Sequence, residues 1–339
     1  MPRSAPPNYR LGSLYSVAVA FLLATQEPFS FLAAKRLSTL QFVFLTQIAL
    51  MISIPLVVLL RRASRRDFVA LLGDVSNYWK LAVLFAIGLV GLVFYNLGLG
   101  KSNPVIISAI VNLSPFWAAL VALLIMRVPF PVSPVVFFGC FLGAFAGAML
   151  VAWSQTAEAS RPTLRLLEQD MLRGGWLYAV PVPICTALGG TLIGKWLSNY
   201  DESAAVAANF LVSNVILIPA TLIMLYSRSK LDLGDHATAI ALMIAGTIIA
   251  GSVGRVVYQV ALTVTGGDNG FVMMFSNLVP ALTAFISAAM SFRLAELHFA
   301  VNSFFFVGLA LSSGSLLFFS LRCWRQPSKV PSPQLAPDG

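Results

Sequence analysis

The chain has 339 residues, of which 58% are hydrophobic and only 10% are charged. Soluble globular domains carry about 25% charged residues, so this composition excludes an ordinary soluble domain. The formal net charge of +9 is not gathered in a soluble basic domain, which excludes a nucleic-acid-binding surface. The charge is better interpreted as a signal for membrane topology and as a contact with anionic lipid.

Ten apolar segments follow one another along the chain, each long enough to cross about 30 Å of hydrocarbon as a helix. They cover 11–34, 38–60, 80–100, 104–126, 132–153, 175–195, 204–226, 237–260, 269–291 and 298–320. The first follows Arg3 and Arg10, as the apolar run of a secretion signal would. It continues past signal length without a small-residue cleavage site, so we expect an uncleaved helix. Strict alternation is absent, which excludes β-strands of a barrel and predicts an all-α polytopic membrane protein.

Corresponding motifs indicate that the last five segments repeat the first five. The fourth segment contains Asn112-Leu113-Ser114-Pro115, and the ninth contains Asn277-Leu278-Val279-Pro280 at the corresponding place. Four further pairs follow in the same order: Leu14-Tyr15 with Leu177-Tyr178, Thr46-Gln47 with Ser213-Asn214, Tyr95 with Tyr258, and Gly143 with Gly308. All offsets lie between 163 and 167 residues, as changes in loop length would produce. Since five is odd, the second copy must enter the membrane from the opposite side. We therefore predict ten transmembrane helices in two inverted five-helix repeats.

The predicted organisation has five parts. They are a cytoplasmic N-terminal segment at 1–10, the first repeat at 11–153, a connecting loop at 154–174, the second repeat at 175–320 and a disordered cytoplasmic tail at 321–339. The densest basic cluster, at 61–66, lies between segments two and three. Short loops rich in Lys and Arg stay in the cytoplasm, so we expect both termini there. The connecting loop also carries three arginines, which argue the other way.

Two charged residues lie deep in predicted spans, Glu27 in the first and Arg255 in the eighth. Because a charge inside the membrane costs about 2.5–3.5 kcal/mol even on the lenient insertion scale, both are candidate site residues. Pro28 removes a backbone donor and predicts a kink in the first span, and Gly254 lets a neighbouring backbone or a ligand approach Arg255 closely. Both features suit the wall of a cavity. Glu27 could bind a proton or a cationic group, and Arg255 an anionic group. The alternatives are a structural ion pair between the two copies or, for Arg255, a side chain that extends to the membrane surface.

Uncharged polar side chains complete the candidate substrate site. They are Gln47, Tyr95, Asn96, Asn112, Asn214, Tyr258, Gln259 and Asn277. Tyr258 and Gln259 follow Arg255 by three and four residues and share its helix face. For each of the eight, an interhelical hydrogen bond worth around 0.6 kcal/mol is an equally good interpretation. For Asn112 and Asn277, a hydrogen bond to a carbonyl freed by the nearby proline is the better one.

Small residues also suggest a packing surface. Gly139, Gly143 and Gly147 recur at four-residue spacing in segment five. Such spacing lets two helix backbones approach closely, so it predicts a helix-packing seam.

Catalytic motifs are absent from the sequence. The two histidines, His236 and His298, lie near span ends, and there is no His-Glu-x-x-His, Asp-x-x-x-Asp or Walker A motif. Cys140, Cys185 and Cys323 are scattered and indicate neither a disulfide framework nor a metal site. We therefore expect no enzyme activity, no cofactor and no metal. The absence of a ring-forming filter sequence argues against a channel.

Ten spans in two five-helix halves, with an Asn-Leu-x-Pro string early in spans four and nine, resemble the EamA-type permeases of the drug/metabolite transporter superfamily over about 11–320. The resemblance implies a proton-coupled or exchange-type carrier of amino acids, metabolites or drugs, often an exporter in the bacterial inner membrane. Spans four and nine depart from the family's usual Leu-Gly-Glu ending, with Leu124-Ile125-Met126-Arg127 and Ala289-Met290-Ser291-Phe292-Arg293 in those places. Gln47 stands where the family often has arginine.

The expected function follows from the inverted repeat and from this resemblance. Two copies related by an axis in the membrane plane can expose a central site alternately to either face, as in many secondary transporters. We expect a small polar or amphipathic substrate such as an amino acid or a drug-like amine, with membrane lipids as neighbours, in a monomer or homodimer. Proton coupling rests on Glu27. The alternative is a flippase or exchanger of lipid-like molecules, for which Phe94, Tyr95 and Trp117 would suit an amphiphile; a membrane-embedded enzyme is a more remote one.

Overall fold

The computed structural model describes residues 8–59, 62–102, 104–127, 132–154, 175–227, 236–265, 272, 275–291 and 302–325. Within these ranges every regular element is helical. The α-helices are α1 (Tyr9–Ala24), α2 (Gln26–Arg36), α3 (Thr39–Leu59), α4 (Arg62–Gly73), α5 (Tyr78–Lys101), α6 (Pro104–Val111), α7 (Ser114–Met126), α8 (Pro134–Ser154), α9 (Pro181–Trp196), α10 (Glu202–Ser227), α11 (Ala237–Ile248), α12 (Arg255–Val264), α13 (Val279–Ser291) and α14 (Ser303–Arg325). Three 3-10 turns, Val75–Asn77, Gly175–Ala179 and Phe275–Leu278, and a π-helical segment, Ile249–Gly254, adjoin them.

Eight helical stretches in the described ranges are long and apolar enough to cross a membrane. They are Tyr9–Arg36, Val75–Lys101, Pro104–Met126, Pro134–Val151, Gly175–Trp196, Ser203–Ser227, Ala237–Tyr258 and Ser303–Arg322. Two shorter apolar helices, Thr39–Ser53 and Val279–Ser291, lie where the sequence predicts spans two and nine. The prediction of an all-helical, multi-pass membrane protein is therefore confirmed.

Several of these stretches are interrupted near their middle. α1 and α2 meet at Thr25, α6 and α7 meet at Asn112 and Leu113, and the π-helical segment separates α11 from α12. Pro28 and Pro115 lie just after the first two breaks, and proline cannot donate the hydrogen bond that would continue a helix. Inside a membrane the backbone groups freed at such breaks must find other partners.

The largest apolar cluster joins helices from early and late parts of the chain. It contains buried residues of α2, α3, α5, α6, α8, α9, α11, α13 and α14. α2 packs most closely on α11, where a Cβ added to Gly246 would lie only 2.9 Å from the Cβ of Phe29. The part of the first span that follows the break, α2, therefore belongs to the main apolar core.

α8 and α14 form an extensive helix pair. A Cβ on Gly143 would lie 2.5 Å from Ser315 Oγ, and one on Gly147 would overlap the backbone at Gly308. By contrast, no heavy atom of the described residues lies within 4 Å of such a Cβ on Gly139. The predicted packing seam is therefore confirmed at Gly143 and Gly147 and wrong at Gly139, where no described helix approaches α8.

Hydrogen bonds among the described residues connect the ends of spans that are far apart in the chain. Five of them run from Asn8 N to Val264 O (2.9 Å), from Asp201 N to Asp67 Oδ2 (2.8 Å), from Lys101 Nζ to the Tyr178 hydroxyl (3.3 Å), from Lys195 Nζ to Ile125 O (3.4 Å) and from Asn302 Nδ2 to Ser154 O (3.1 Å). We call them the end contacts. The second joins α4, the amphipathic helix after α3, to the turn before α10, and Ser64 Oγ strengthens it by donating to Asp201 Oδ1 at 2.9 Å.

Some sequence predictions fall outside the described residues. These are the structure of the connecting loop at 155–174 and of the tail from 326 onward. α14 continues to Arg325, five residues into the segment that was expected to be disordered.

Candidate functional site

The break in the first span follows directly from Pro28. In a regular helix the carbonyl of Ala24 would accept from the N–H of the residue four positions later, but that residue is Pro28 and has no N–H. α1 therefore ends at Ala24, and α2 begins at Gln26. Thr25 lies between them, and its hydroxyl donates a hydrogen bond to Leu22 O at 2.7 Å. The Ala24 carbonyl still needs a donor from elsewhere.

Thr283 on α13 supplies that donor. Its hydroxyl lies 3.3 Å from Ala24 O, and Ser108 Oγ on α6 lies 3.2 Å from the same hydroxyl. Because the single proton of Thr283 is directed to Ala24, Ser108 must donate to Thr283. Asn112 Nδ2 approaches Ser108 Oγ at 3.5 Å, the longest link. A chain of polar groups therefore connects the break between α6 and α7 to the break between α1 and α2.

Glu27 lies in the first turn of α2, immediately after the break. Its side chain is only 6% exposed. Its carboxylate accepts a hydrogen bond from its own backbone N–H, and Oε2 has no hydrogen-bond partner among the described residues. The first turn of a helix favours negative charge because its N–H groups point toward that end. Among the described residues, Glu27 is the one charged side chain that is buried.

Tyr95 and Ser30 lie beside Glu27. Ser30 follows Glu27 by three residues on α2 and is fully buried. Tyr95 on α5 is also buried; it interacts electrostatically with Glu27 and lies close to the Ser30 hydroxyl. The Tyr95 hydroxyl nevertheless has no hydrogen bond of regular geometry. Glu27 and Tyr95 are thus two sequence candidates that lie close enough to interact electrostatically.

Polar side chains on neighbouring helices also have buried atoms that lack a hydrogen-bond partner among the described residues. They include Asn96 on α5 (Nδ2), Gln47 on α3 (Oε1), Asn214 on α10 (Nδ2 and Oδ1) and Ser252 in the π-helical segment (Oγ). Asn214 is only 1% exposed, yet neither of its amide atoms is hydrogen-bonded. α3 packs against α2, α5, α10 and the π-helical segment, so these elements form one group of helices.

Other predicted site residues lie elsewhere. Asn112 donates to Ser108 O at 2.8 Å, but that is not the carbonyl freed by Pro115. The freed carbonyl is that of Val111, and the Ser114 hydroxyl donates to it. The prediction that Asn112 donates to the carbonyl freed by Pro115 is therefore wrong, because Ser114 makes that hydrogen bond.

Tyr258 and Asn277 contact residues other than Glu27. Tyr258 packs with Tyr15 against Ala261, and Tyr15 precedes Glu27 by twelve residues, or about 18 Å of helix. Asn277 donates to Ser320 Oγ on α14 at 3.1 Å rather than to a freed backbone carbonyl. Arg255 and Gln259 belong to α12, but their side chains lie outside the described part of the structure.

The sequence candidates omitted Thr283, Ser108, Ser30 and Ser252. Ser30 could have been found because its spacing of three residues from Glu27 places it on the same helix face. Thr283 could not, because only the fold brings it to Ala24. Hydroxyl residues are common in apolar spans, and they usually bond to their own helix, as Thr247 does to Met243 O at 2.9 Å.

The arrangement around Glu27 can bind a proton or a donor-rich ligand. Each buried polar atom without a partner costs about 1–3 kcal/mol, and a ligand that completes the bonds recovers that free energy. Carboxylate and amide oxygens can accept, whereas Asn96 and Asn214 can donate. Within the described ranges no group of three His, Cys, Asp or Glu side chains could hold a metal ion.

Comparison with known proteins adds information on the fold alone. No protein-family model matches the sequence, and no curated protein is significantly similar to it. A protein of known crystal structure has a similar backbone, with a TM-score of 0.54 at 16% sequence identity. The match covers 91% of this chain and 97% of the other. At this level of identity the similarity concerns the fold alone and gives no information on function.

Proposed function

We propose that this chain is a ten-span secondary transporter of small polar or amphipathic metabolites, built as two inverted five-helix repeats like an EamA-type permease. It works by alternating access, with Glu27 as the proton-coupling residue and a donor-rich substrate, such as an amino acid or a drug-like amine, bound beside it. Export from the cytoplasm across a bacterial inner membrane, with both termini inside, is part of the proposal. The buried, incompletely bonded carboxylate of Glu27 at a helix break carries it.

The end contacts support ten crossings. If every predicted span crosses once, Asn8 and Val264 are separated by eight crossings, and Ser154 and Asn302 by four. Asp67 and Asp201 are also separated by four. An even number puts both partners of each contact at the same face of the membrane, as a hydrogen bond between span ends requires. If the shorter helix α3 or α13 did not cross, one of these numbers would become odd.

The broken helices support a site between the halves. In transporters with inverted repeats, discontinuous helices place the free ends of half-helices at the binding site near the midplane. Here the break at Thr25 lies on the first half, and the donor to Ala24 O comes from Thr283 on the second half. A relative motion of the halves would therefore change the surroundings of Glu27 directly.

Coupling follows from the charge of Glu27. A carboxylate buried without a full set of partners is costly inside the membrane, and either a proton or a cationic substrate removes that cost. The two then compete for one group, so binding of one releases the other. This competition would connect a proton gradient to movement of the substrate.

The experiment is transport by the purified full-length protein in proteoliposomes. A panel of radiolabelled amino acids and amphipathic amines is offered with and without an imposed pH gradient. We expect saturable accumulation that disappears when the gradient is dissipated. Glu27→Gln should abolish gradient-driven accumulation, because an amide keeps the shape of the carboxyl group but can neither release a proton nor attract a cationic substrate.

Asp74→Asn is the matched control, since it makes the same carboxyl-to-amide change at an exposed position outside the spans. It should transport like the wild type. If Glu27→Gln still accumulates substrate under the gradient, Glu27 is not the coupling residue. If the folded wild type moves no compound of the panel in either mode, the metabolite carrier is refuted and lipid-like substrates become the ones to test.

A further inference from the structure

A cavity of about 220 Å³ lies between the 3-10 turn Phe275–Leu278 and α14, away from Glu27. Its lining is Phe275, Asn277, Leu278, Ser313, Gly314 and Leu317. Leu278 and Leu317 are 40% and 45% exposed, so the cavity opens between them on the outer surface of the bundle. In a membrane this opening faces lipid. Neither the proposed transport site nor its coupling residue uses the cavity.

The cavity presents a hydrogen-bond acceptor that has no donor among the residues that the structure describes. The Asn277 side chain is only 2% exposed. Its amide nitrogen donates to Ser320 Oγ at 3.1 Å, which leaves Oδ1 without a partner. The Ser313 hydroxyl, also in the lining, has no partner either. The remaining lining side chains are apolar, so the cavity combines an apolar body with one or two polar contacts, as small-molecule sites do.

The chemistry of the lining selects the ligand. None of the described lining residues carries a charge, so the described lining offers no counter-ion for a charged ligand. Phosphate and ester oxygens of a phospholipid only accept hydrogen bonds, so they cannot satisfy the carbonyl of Asn277. A neutral hydroxyl can donate to Asn277 and accept from Ser313 at the same time.

The size of the cavity sets the scale of the molecule. A dry protein cavity of about 150 Å³ holds a benzene molecule, so about 220 Å³ accommodates one ring with a short substituent. We propose that this cavity is a binding site for a small neutral alcohol with a cyclic apolar body, which enters from the bilayer and donates its hydroxyl to Asn277. The proposal does not depend on the transported substrate.

The test uses photolabelling of the full-length protein in lipid nanodiscs. The probe is a diazirine derivative of cyclohexylmethanol, and its twin has a methyl group in place of the hydroxyl. Mass spectrometry then maps the labelled residues. We expect the alcohol to label residues of 275–278 and 313–317 saturably, with competition by unlabelled cyclohexylmethanol. The alcohol should exceed its twin by about two- to tenfold, the contribution of one hydrogen bond.

Two variants test the hydrogen bond to Asn277 and the volume of the cavity separately. Asn277→Leu should reduce labelling by the alcohol to the level of the twin. Gly314→Leu should fill the cavity and abolish labelling by both probes at these residues. A Cβ on Gly314 has no heavy atom within 4 Å, so this change is compatible with folding. Gly139→Leu is the matched control, because that glycine is equally open but lies on α8 outside the cavity.

Three results would overturn the proposal. One is equal labelling by the alcohol and its twin, which would make the cavity a space for acyl chains. Another is labelling spread over all exposed helices without saturation. The third is labelling by the alcohol that is the same in Gly314→Leu, Ser313→Ala and Asn277→Leu as in the wild type.

Discussion

The hydroxyl of Thr283 tests whether the break in the first span is stabilised from the other half of the chain. Thr283→Val keeps the shape of the side chain and removes its hydrogen bonds to Ala24 O and Ser108. Ala24 then has no donor, because Pro28 cannot provide one. Side-chain hydrogen bonds within membranes average about 0.6 kcal/mol and reach about 1.7 kcal/mol. For two bonds, one of them to an otherwise unpaired carbonyl, we expect Thr283→Val to lower the free energy of unfolding by about 1–1.5 kcal/mol.

A double-mutant cycle isolates the contribution of Ala24. Pro28→Ala restores a backbone N–H four residues after Ala24, so this carbonyl regains a donor within its own helix. In that background Thr283→Val should cost about 0.5 kcal/mol, the share that belongs to Ser108. The coupling between the two positions is therefore about 0.5–1 kcal/mol. Reversible unfolding in mixed micelles by denaturing detergent, followed by tryptophan fluorescence, measures all four free energies.

Thr247→Val provides the control for the loss of a buried threonine hydroxyl. Thr247 donates to Met243 O of its own helix, a carbonyl that already has a regular helical partner, so its replacement should cost less than about 0.5 kcal/mol. The reasoning is refuted if Thr283→Val costs the same with Pro28 and with Ala at position 28. It is also refuted if Thr247→Val is as destabilising as Thr283→Val.

Three further predictions concern residues away from the break in the first span. Gly147→Ala forces a methyl group into the backbone of α14 and should lower the free energy of unfolding by about 1–3 kcal/mol, whereas Gly139→Ala, with open space around it, should be neutral or slightly stabilising in the same unfolding assay. Asp67→Ala leaves the N–H of Asp201 without its acceptor and should cost about 1 kcal/mol; an unchanged midpoint of unfolding would contradict this. Hydrogen bonds from Ser76 lower the pKa of Asp74 below its usual value, so Asp74 stabilises the fold above its unfolded pKa of about 3.9 and this stabilisation is lost as the pH falls through the lower folded value. The difference in Tm between the wild type and Asp74→Asn should therefore shrink between pH 6 and pH 3, and a constant difference would argue against it.

The extent of the apolar segments made the helical stretches predictable, because helix length and bilayer thickness are both set by simple geometry. Pro28 likewise predicted the break in the first span, since the loss of its N–H is a property of the residue itself. What caps the freed carbonyl was not predictable. Thr283 lies 259 residues from Ala24, and a threonine in an apolar span has no local feature that indicates a tertiary partner.

The two Asn-Leu-x-Pro strings show how similar motifs can diverge. Asn112 donates to a carbonyl of its own helix, whereas Asn277 donates to Ser320 on another helix. The difference arises from the neighbours: α14 supplies a hydroxyl beside Asn277, and the residues around Asn112 include Ser108 and Ser114 as local alternatives. In the same way Glu27 and Tyr95 could be proposed as neighbours from polarity alone, but only the fold shows that Tyr258 packs in one cluster with Tyr15 of α1.

The end contacts have an energetic consequence for a carrier of the proposed kind. In the proposed ten-span topology they would join the first half to the second at both faces: Asp67 with Asp201 at one, and Ser154 with Asn302 at the other. For such a carrier, contacts made at both faces at once would correspond to an occluded state, in which the centre is closed to both solutions. Opening toward either solution must break the contacts on that side. The preferred direction of opening therefore depends on the difference in hydrogen-bond energy between the contacts at the two faces. Weakening one side alone should therefore bias the protein toward opening there, without any change in the residues that touch the substrate.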